Sequence, residues 1–146
     1  MKTYTPPAKR DKPTSLWVAA NLPDASGPEL RGLMSRGLNI GVIDNIRDIV
    51  GFKKEDFLTT LGLSARSIAR RKERLSPGES ESITRYVTAF DLALAMFGND
   101  YHKTISWMDT PARVLGGETP NQAMKTETGA RDVMSLIEGI KHGVVM

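Results

Sequence analysis

From residue 29 onward the apolar positions recur at helical spacing and no useful alternating run appears, so the pattern predicts an all-α fold. Glu29–Arg36 reads as a short helix ended by Gly37. Ile40, Ile43, Ile46, Ile49 and Val50 give residues 40–50 one apolar face, and Gly51 stops that helix. Lys53–Thr60 follows with Phe57, Leu58 and Leu61 directed inward. Ser76-Pro77-Gly78-Glu79 then opens a longer helix: serine at the cap, proline at the first helical position, glutamate placed for the reciprocal bond. Its stripe of Ile83, Tyr86, Val87, Phe90, Leu94 and Phe97, closed by Gly98, suits a core or a dimer interface and joins the two halves of the chain. Pro111–Leu115 reads as a proline-led turn, and Thr119-Pro120 starts another containing Met124. The last helix begins near Thr128 and carries Val133, Leu136, Ile137 and Ile140 on one face.

Residues 1–28 break this rhythm. They hold five of the eight prolines, each of which removes a backbone donor. Lys2, Lys9, Arg10 and Lys12 make the segment basic, and Leu16-Trp17-Val18 is its one apolar knot, expected to dock. The organisation predicted is a flexible basic arm over 1–28, a helical region over 29–98 suited to dimerisation, and a C-terminal region over 99–146.

The break at Leu61-Gly62-Leu63 carries the most chemistry. Ser64 is a good N-cap, because its hydroxyl can accept from the unpaired amides of the next turn. Leu63 and Ile68 are spaced for a hydrophobic staple, and Gly62 supplies the backbone freedom of a tight turn. Helix, glycine turn and capped helix make a helix-turn-helix candidate, whose second helix enters the major groove. With Ile68 and Leu75 facing the core, Ala65, Arg66, Ser67, Arg70, Arg71 and Arg74 occupy the remaining faces, and Ser64, Arg66, Ser67, Arg70, Arg71 and Arg74 are the residues expected to bind DNA. Five of the eleven residues Ser64–Arg74 are basic and Glu73 is the only acid. Arginine's planar fork suits guanine edges and phosphates. A solvated charged helix face is the alternative for an isolated basic helix; here the turn and the cap coincide with it.

Charge sharpens the picture. The net +3 of the 146 residues divides into +6 over residues 1–75 and −3 over residues 76–146. A basic first half suits a polyanion, and an acidic second half suits a different partner. No residue is cysteine and only His102 and His142 are histidines, which excludes disulfides, thiolate metal sites and an all-histidine zinc centre. Gly116-Gly117 lacks the lysine and strand of a phosphate cradle, and the carboxylates show no paired spacing on one face. Catalysis, cofactor and metal are therefore not expected. The longest apolar run, Leu92–Phe97, is too short to cross a bilayer, and the N-terminus has no secretion-signal core. A cytoplasmic protein without membrane contact is the expectation.

The C-terminal third carries a family pattern. Trp107-Met108 followed by Pro111-Ala112-Arg113-Val114-Leu115-Gly116-Gly117-Glu118-Thr119-Pro120 resembles the "WL…P…ALGG.TP" segment of the MbcA/ParS/Xre antitoxins. Thr126-Glu127-Thr128-Gly129-Ala130-Arg131-Asp132-Val133, then Leu136, Ile140 and His142-Gly143-Val144, resemble that family's ending. Upstream, Leu61-Gly62-Leu63-Ser64 and Arg74-Leu75-Ser76-Pro77 are similar to its helix-turn-helix region, so the likeness covers roughly residues 40–146. Met108 stands where leucine is usual, and the N-terminal arm has no counterpart.

The resemblance implies a type II antitoxin with an Xre-like helix-turn-helix domain and a small helical toxin-binding domain. Such a protein pairs with a RES-domain toxin that consumes NAD, occludes it through the C-terminal region and binds its own promoter. The residues offered to the toxin are Arg131, Glu138 and Lys141 on the last helix's polar face, then His142, Gly143 and Val144 beyond it. A homodimer follows from the need for two DNA half-sites. Two other readings stay open on the sequence: a plain helix-turn-helix regulator whose C-terminal region serves dimerisation or ligand sensing, and a pure protein-interaction inhibitor that no longer binds DNA.

Overall fold

A computed structural model describes residues 15–143, which are helical throughout apart from turns and one isolated bridge between Asn39 and Arg74. The helices are α1 Leu16–Ala19, α2 Pro28–Arg36, α3 Gly41–Val50, α4 Lys54–Leu61, α5 Ala65–Ala69, α6 Pro77–Met96, α7 Tyr101–Met108, α8 Pro120–Ala123 and α9 Glu127–Lys141. A 3-10 turn, Arg113–Leu115, lies between α7 and α8.

The 20-residue α6 is the axis of the fold, with α1, α2, α4, α7 and α9 packed around it. Its start is set by the expected capping box: the Ser76 hydroxyl accepts from the Glu79 amide at 3.1 Å, and the Ser76 amide donates to the Glu79 carboxylate at 2.8 Å. Ile83, Tyr86, Val87, Phe90 and Leu94 are all buried, so most of the stripe is spent inside the protomer, and Phe97 at its end is half-buried against Trp107. Much of the apolar face of α3 is consumed in the same way, with Val42, Ile43, Ile46 and Val50 buried.

One core serves the whole described chain. Aromatic rings bridge it end to end: Phe52 stacks on Phe57 at 5.1 Å, Phe57 meets Tyr86 edge-on at 5.3 Å, and Phe90 joins Tyr86 to Tyr101. Through these contacts the N-terminal helices and α7 share packing.

Two elements differ from the sequence reading. The arm predicted as flexible over 1–28 forms α1 within its described part, with Leu16, Ala20 and Leu22 buried. The expected docking of the apolar knot falls mainly to Leu16, because Trp17 is half-buried and Val18 exposed. The anchor is Asp91 on α6, whose carboxylate accepts from the amides of Leu16 at 2.6 Å and Trp17 at 3.3 Å. The basic residues Lys2, Lys9, Arg10 and Lys12 lie outside the described residues. The second difference is α7, a full helix where the sequence reading placed none. Asp100 caps it by accepting from the Lys103 amide at 3.0 Å.

Candidate functional site

The helix-turn-helix is α4, the turn Gly62-Leu63-Ser64 and α5. Gly62 has φ +71°, and a Cβ there would overlap the Lys125 carbonyl oxygen, so both backbone shape and close approach call for glycine. Ser64 caps α5 as expected, its hydroxyl accepting from the Ser67 amide at 3.3 Å. Ile68 is buried, and Leu63 packs partly against the core. Arg66 and Arg70 are exposed, and Arg70 still has right-handed helical dihedrals as the C-cap. Between α4 and α5 runs a shallow groove lined by Lys54, Glu55, Leu58, Ala65, Ile68 and Ala69.

The second helix is shorter than the basic run suggested. It ends at Ala69, and the chain then runs extended beside residues 38–40. The Ile40 amide donates to the Glu73 carbonyl at 2.9 Å, and the Leu75 amide to the Leu38 carbonyl at 2.8 Å. Pro77 disfavours helix at the residue before it, so α5 and α6 are not continuous. As a result Arg71 and Arg74 do not share a helical face with Arg66 and Arg70. The Arg71 guanidinium makes a two-pronged pair with Glu79, Nε to Oε1 at 3.0 Å and Nη2 to Oε2 at 3.1 Å. Arg74 donates to the Gly37 carbonyl at 3.1 Å. Burial opposes ionisation of Glu79, but Arg71, with the Ser76 amide and hydroxyl, outweighs it and holds the carboxyl below its ordinary value. The same hydrogen bond to Glu79 raises Arg71 further.

At the other end of the chain, α9 buries Ala130, Val133, Leu136 and Ile137, mainly against α6. Its outer face presents Arg131, Asp132, Ser135, Glu138 and Lys141, all exposed. The charges there are loosely paired within the helix, Arg131 with Glu127 at 3.7 Å and Lys141 with Glu138 at 3.8 Å. His142 is the C-cap and Gly143 follows at φ +78°, both exposed; Val144 lies outside the described residues. The approach to α9 is built by α8, where Thr119 and Gln122 form a second capping box that the sequence reading missed. Its signal was present as threonine followed three residues later by glutamine.

Among the described residues no group of histidines and carboxylates is placed to hold a metal ion, and no helix is long and apolar enough to cross a membrane. His102 and His142 are both exposed.

The geometry defines a class: a helix-turn-helix protein whose core is shared with a C-terminal helical unit. Comparison with known proteins places it more narrowly. Residues 24–87 match the model of the antitoxin Xre-like helix-turn-helix domain, and residues 92–143 match that of the antitoxin Xre/MbcA/ParS C-terminal toxin-binding domain. Two curated relatives, each called Antitoxin Xre, come from Photorhabdus laumondii subsp. laumondii and Yersinia enterocolitica. Each is 38% identical over 148 residues, covering 99% of this chain and 99% of the relative. The chain belongs to the Xre/MbcA/ParS family of antitoxins.

Proposed function

We propose that this antitoxin neutralises a RES-domain, NAD-consuming toxin by covering its active site, and that it represses its own operon through the helix-turn-helix. The observation that carries the reading is that two surfaces of different character stand on one core. The first presents Ser64, Arg66 and Ser67 at a capped helix start, the position from which such helices reach base edges, with Arg70 exposed at the same helix's C-cap. The second is the charged outer face of α9 with the residues after it, inside the region matched to a toxin-binding domain. The protein supplies no chemistry in this scheme; it binds and blocks, in the cytoplasm where toxin and promoter are found.

Arg71 and Arg74 carry structural roles through Glu79 and the Gly37 carbonyl, so base reading in this scheme falls to Arg66 and Arg70. Two half-sites require two copies, so the DNA-binding form is a two-fold dimer. Co-expression with the neighbouring toxin reading frame tests the reading. Relief of growth arrest, with restored cellular NAD and a co-purifying complex, is the expected result. Arrest that persists despite a soluble antitoxin would refute it.

A further inference from the structure

The turn of the helix-turn-helix does not stand alone at the surface. Gly62 is pressed against Lys125, whose carbonyl would meet a Cβ at position 62 and whose Cγ would stand 3.6 Å from it. Lys125 follows α8 and immediately precedes Thr126, the N-cap of α9, so it belongs to the region matched to the toxin-binding domain. Its side-chain stem therefore lies along the turn that leads into α5, two residues before Ser64.

We propose that Lys125 is a DNA phosphate contact, supplied to the helix-turn-helix by the C-terminal region. The inference rests on the reading that α5 enters a major groove. In that geometry the N-terminal end of the second helix faces base edges, and phosphates flank the groove on either side. Lys125 is exposed and makes no ion pair among the described residues. The carboxylate two positions on, Glu127, is directed to Arg131 at 3.7 Å. Lys54 lines the groove between α4 and α5, so α5 has one cation at the turn that leads into it and another in the groove beside it. Glu55, in the same groove, is the carboxylate that this pair of lysines must offset.

A lysine ammonium is a flexible point charge, suited to a phosphate and poorly suited to two-pronged base reading. The proposal thus predicts affinity without sequence preference. It also makes the C-terminal region part of the DNA-binding surface, so the boundary between two matched domains is not a boundary between two functions.

The test is a salt titration of duplex binding by the full chain, using the promoter fragment and an unrelated duplex of equal length. Wild type, Lys125→Gln, Lys125→Arg and Arg66→Ala are compared. Lys125→Gln is expected to reduce the slope of log Kobs against log[salt] by about 0.9 for each protomer on the duplex. Between 50 and 200 mM salt that corresponds to a wild type losing about 3.5-fold more affinity per protomer than the variant. The reduction should be equal on both duplexes, and Lys125→Arg should restore the slope. An unchanged slope in Lys125→Gln while Arg66→Ala still weakens promoter binding would overturn the role of Lys125 alone. A loss confined to the promoter duplex would also overturn it, because a phosphate contact carries no sequence information. Absence of binding by the wild type to either duplex would overturn the helix-turn-helix reading, and this inference with it.

Discussion

Arg66 and Arg70 lie four positions apart, one helical turn, on the exposed side of a helix that buries only Ile68. If each reads a base, Arg66→Ala or Arg70→Ala weakens promoter binding by about 1–3 kcal/mol and leaves toxin neutralisation intact. Gel-shift titration at fixed salt checks this, and unchanged binding for both would take α5 out of the groove. Arg71, equally basic in the sequence, behaves differently because its partner is Glu79. Arg71→Ala is expected to lower the melting temperature, while Arg66→Ala leaves it unchanged. The pair also sets a pH dependence. Glu79 has a folded pKa lowered from 4.5, so its stabilisation is present above the unfolded value and is lost as pH falls through the folded one. Thermal melts on the acid side of pH 4.5 should therefore show wild type losing stability more steeply than Glu79→Gln. Parallel acid limbs would count against the pair. None of this is legible from residues 64–74 alone: a run of arginines looks alike until the end of α5 at Ala69 and the pairing of residues 73–75 with residues 38–40 divide it.

At the scale of elements, local signals carried furthest where cap and stripe agreed. Ser76-Pro77-Gly78-Glu79 marked the start of α6, and Val133, Leu136 and Ile137 marked the buried face of α9. Gly62 was read as a turn glycine, but its contact with Lys125 is 63 positions distant in sequence and no local pattern encodes it. Helix α7 carries its own local signal, with Tyr101, Thr104, Ile105 and Met108 at helical spacing and Asp100 as its cap. The proline content of residues 1–28 hid α1, which exists because a carboxylate on another helix satisfies its first amides. Asp91 is itself uncomfortable there: burial pushes its carboxyl above the ordinary value, against the pull of the Leu16 and Trp17 amides. Asp91→Ala leaves those amides without their acceptor, a cost of about 1–3 kcal/mol, and should release α1. Faster hydrogen exchange over residues 16–22, with α6 unaffected, is the expected signature; unchanged protection would show that the burial of Leu16 alone holds the segment.

Across the whole molecule, one shared core carries both the helix-turn-helix and the region matched to a toxin-binding domain. The aromatic series from Phe52 to Tyr101 ties the helix-turn-helix side to α7, and α6 carries α9 on the same axis. Phe57→Ala in that series should cost about 3–5 kcal/mol and impair both activities together, whereas the surface variants separate them. Assembly belongs to this scale too. The stripes of α3 and α6 are used largely internally, so the apolar surface left for a dimer is that around exposed Val18 and half-buried Trp17, Leu92 and Phe97. Light scattering should find a dimer on DNA, and a monomer at every concentration would contradict it. Deleting residues 142–146 should restore NAD consumption while DNA binding persists, if the chain beyond α9 enters the toxin's cleft. The most direct test of the central claim is the NAD consumption of the purified neighbouring toxin, titrated with this protein. The account predicts a fall to background at a fixed molar ratio, retained by Arg66→Ala; a toxin that keeps its full activity at saturating antitoxin would contradict it.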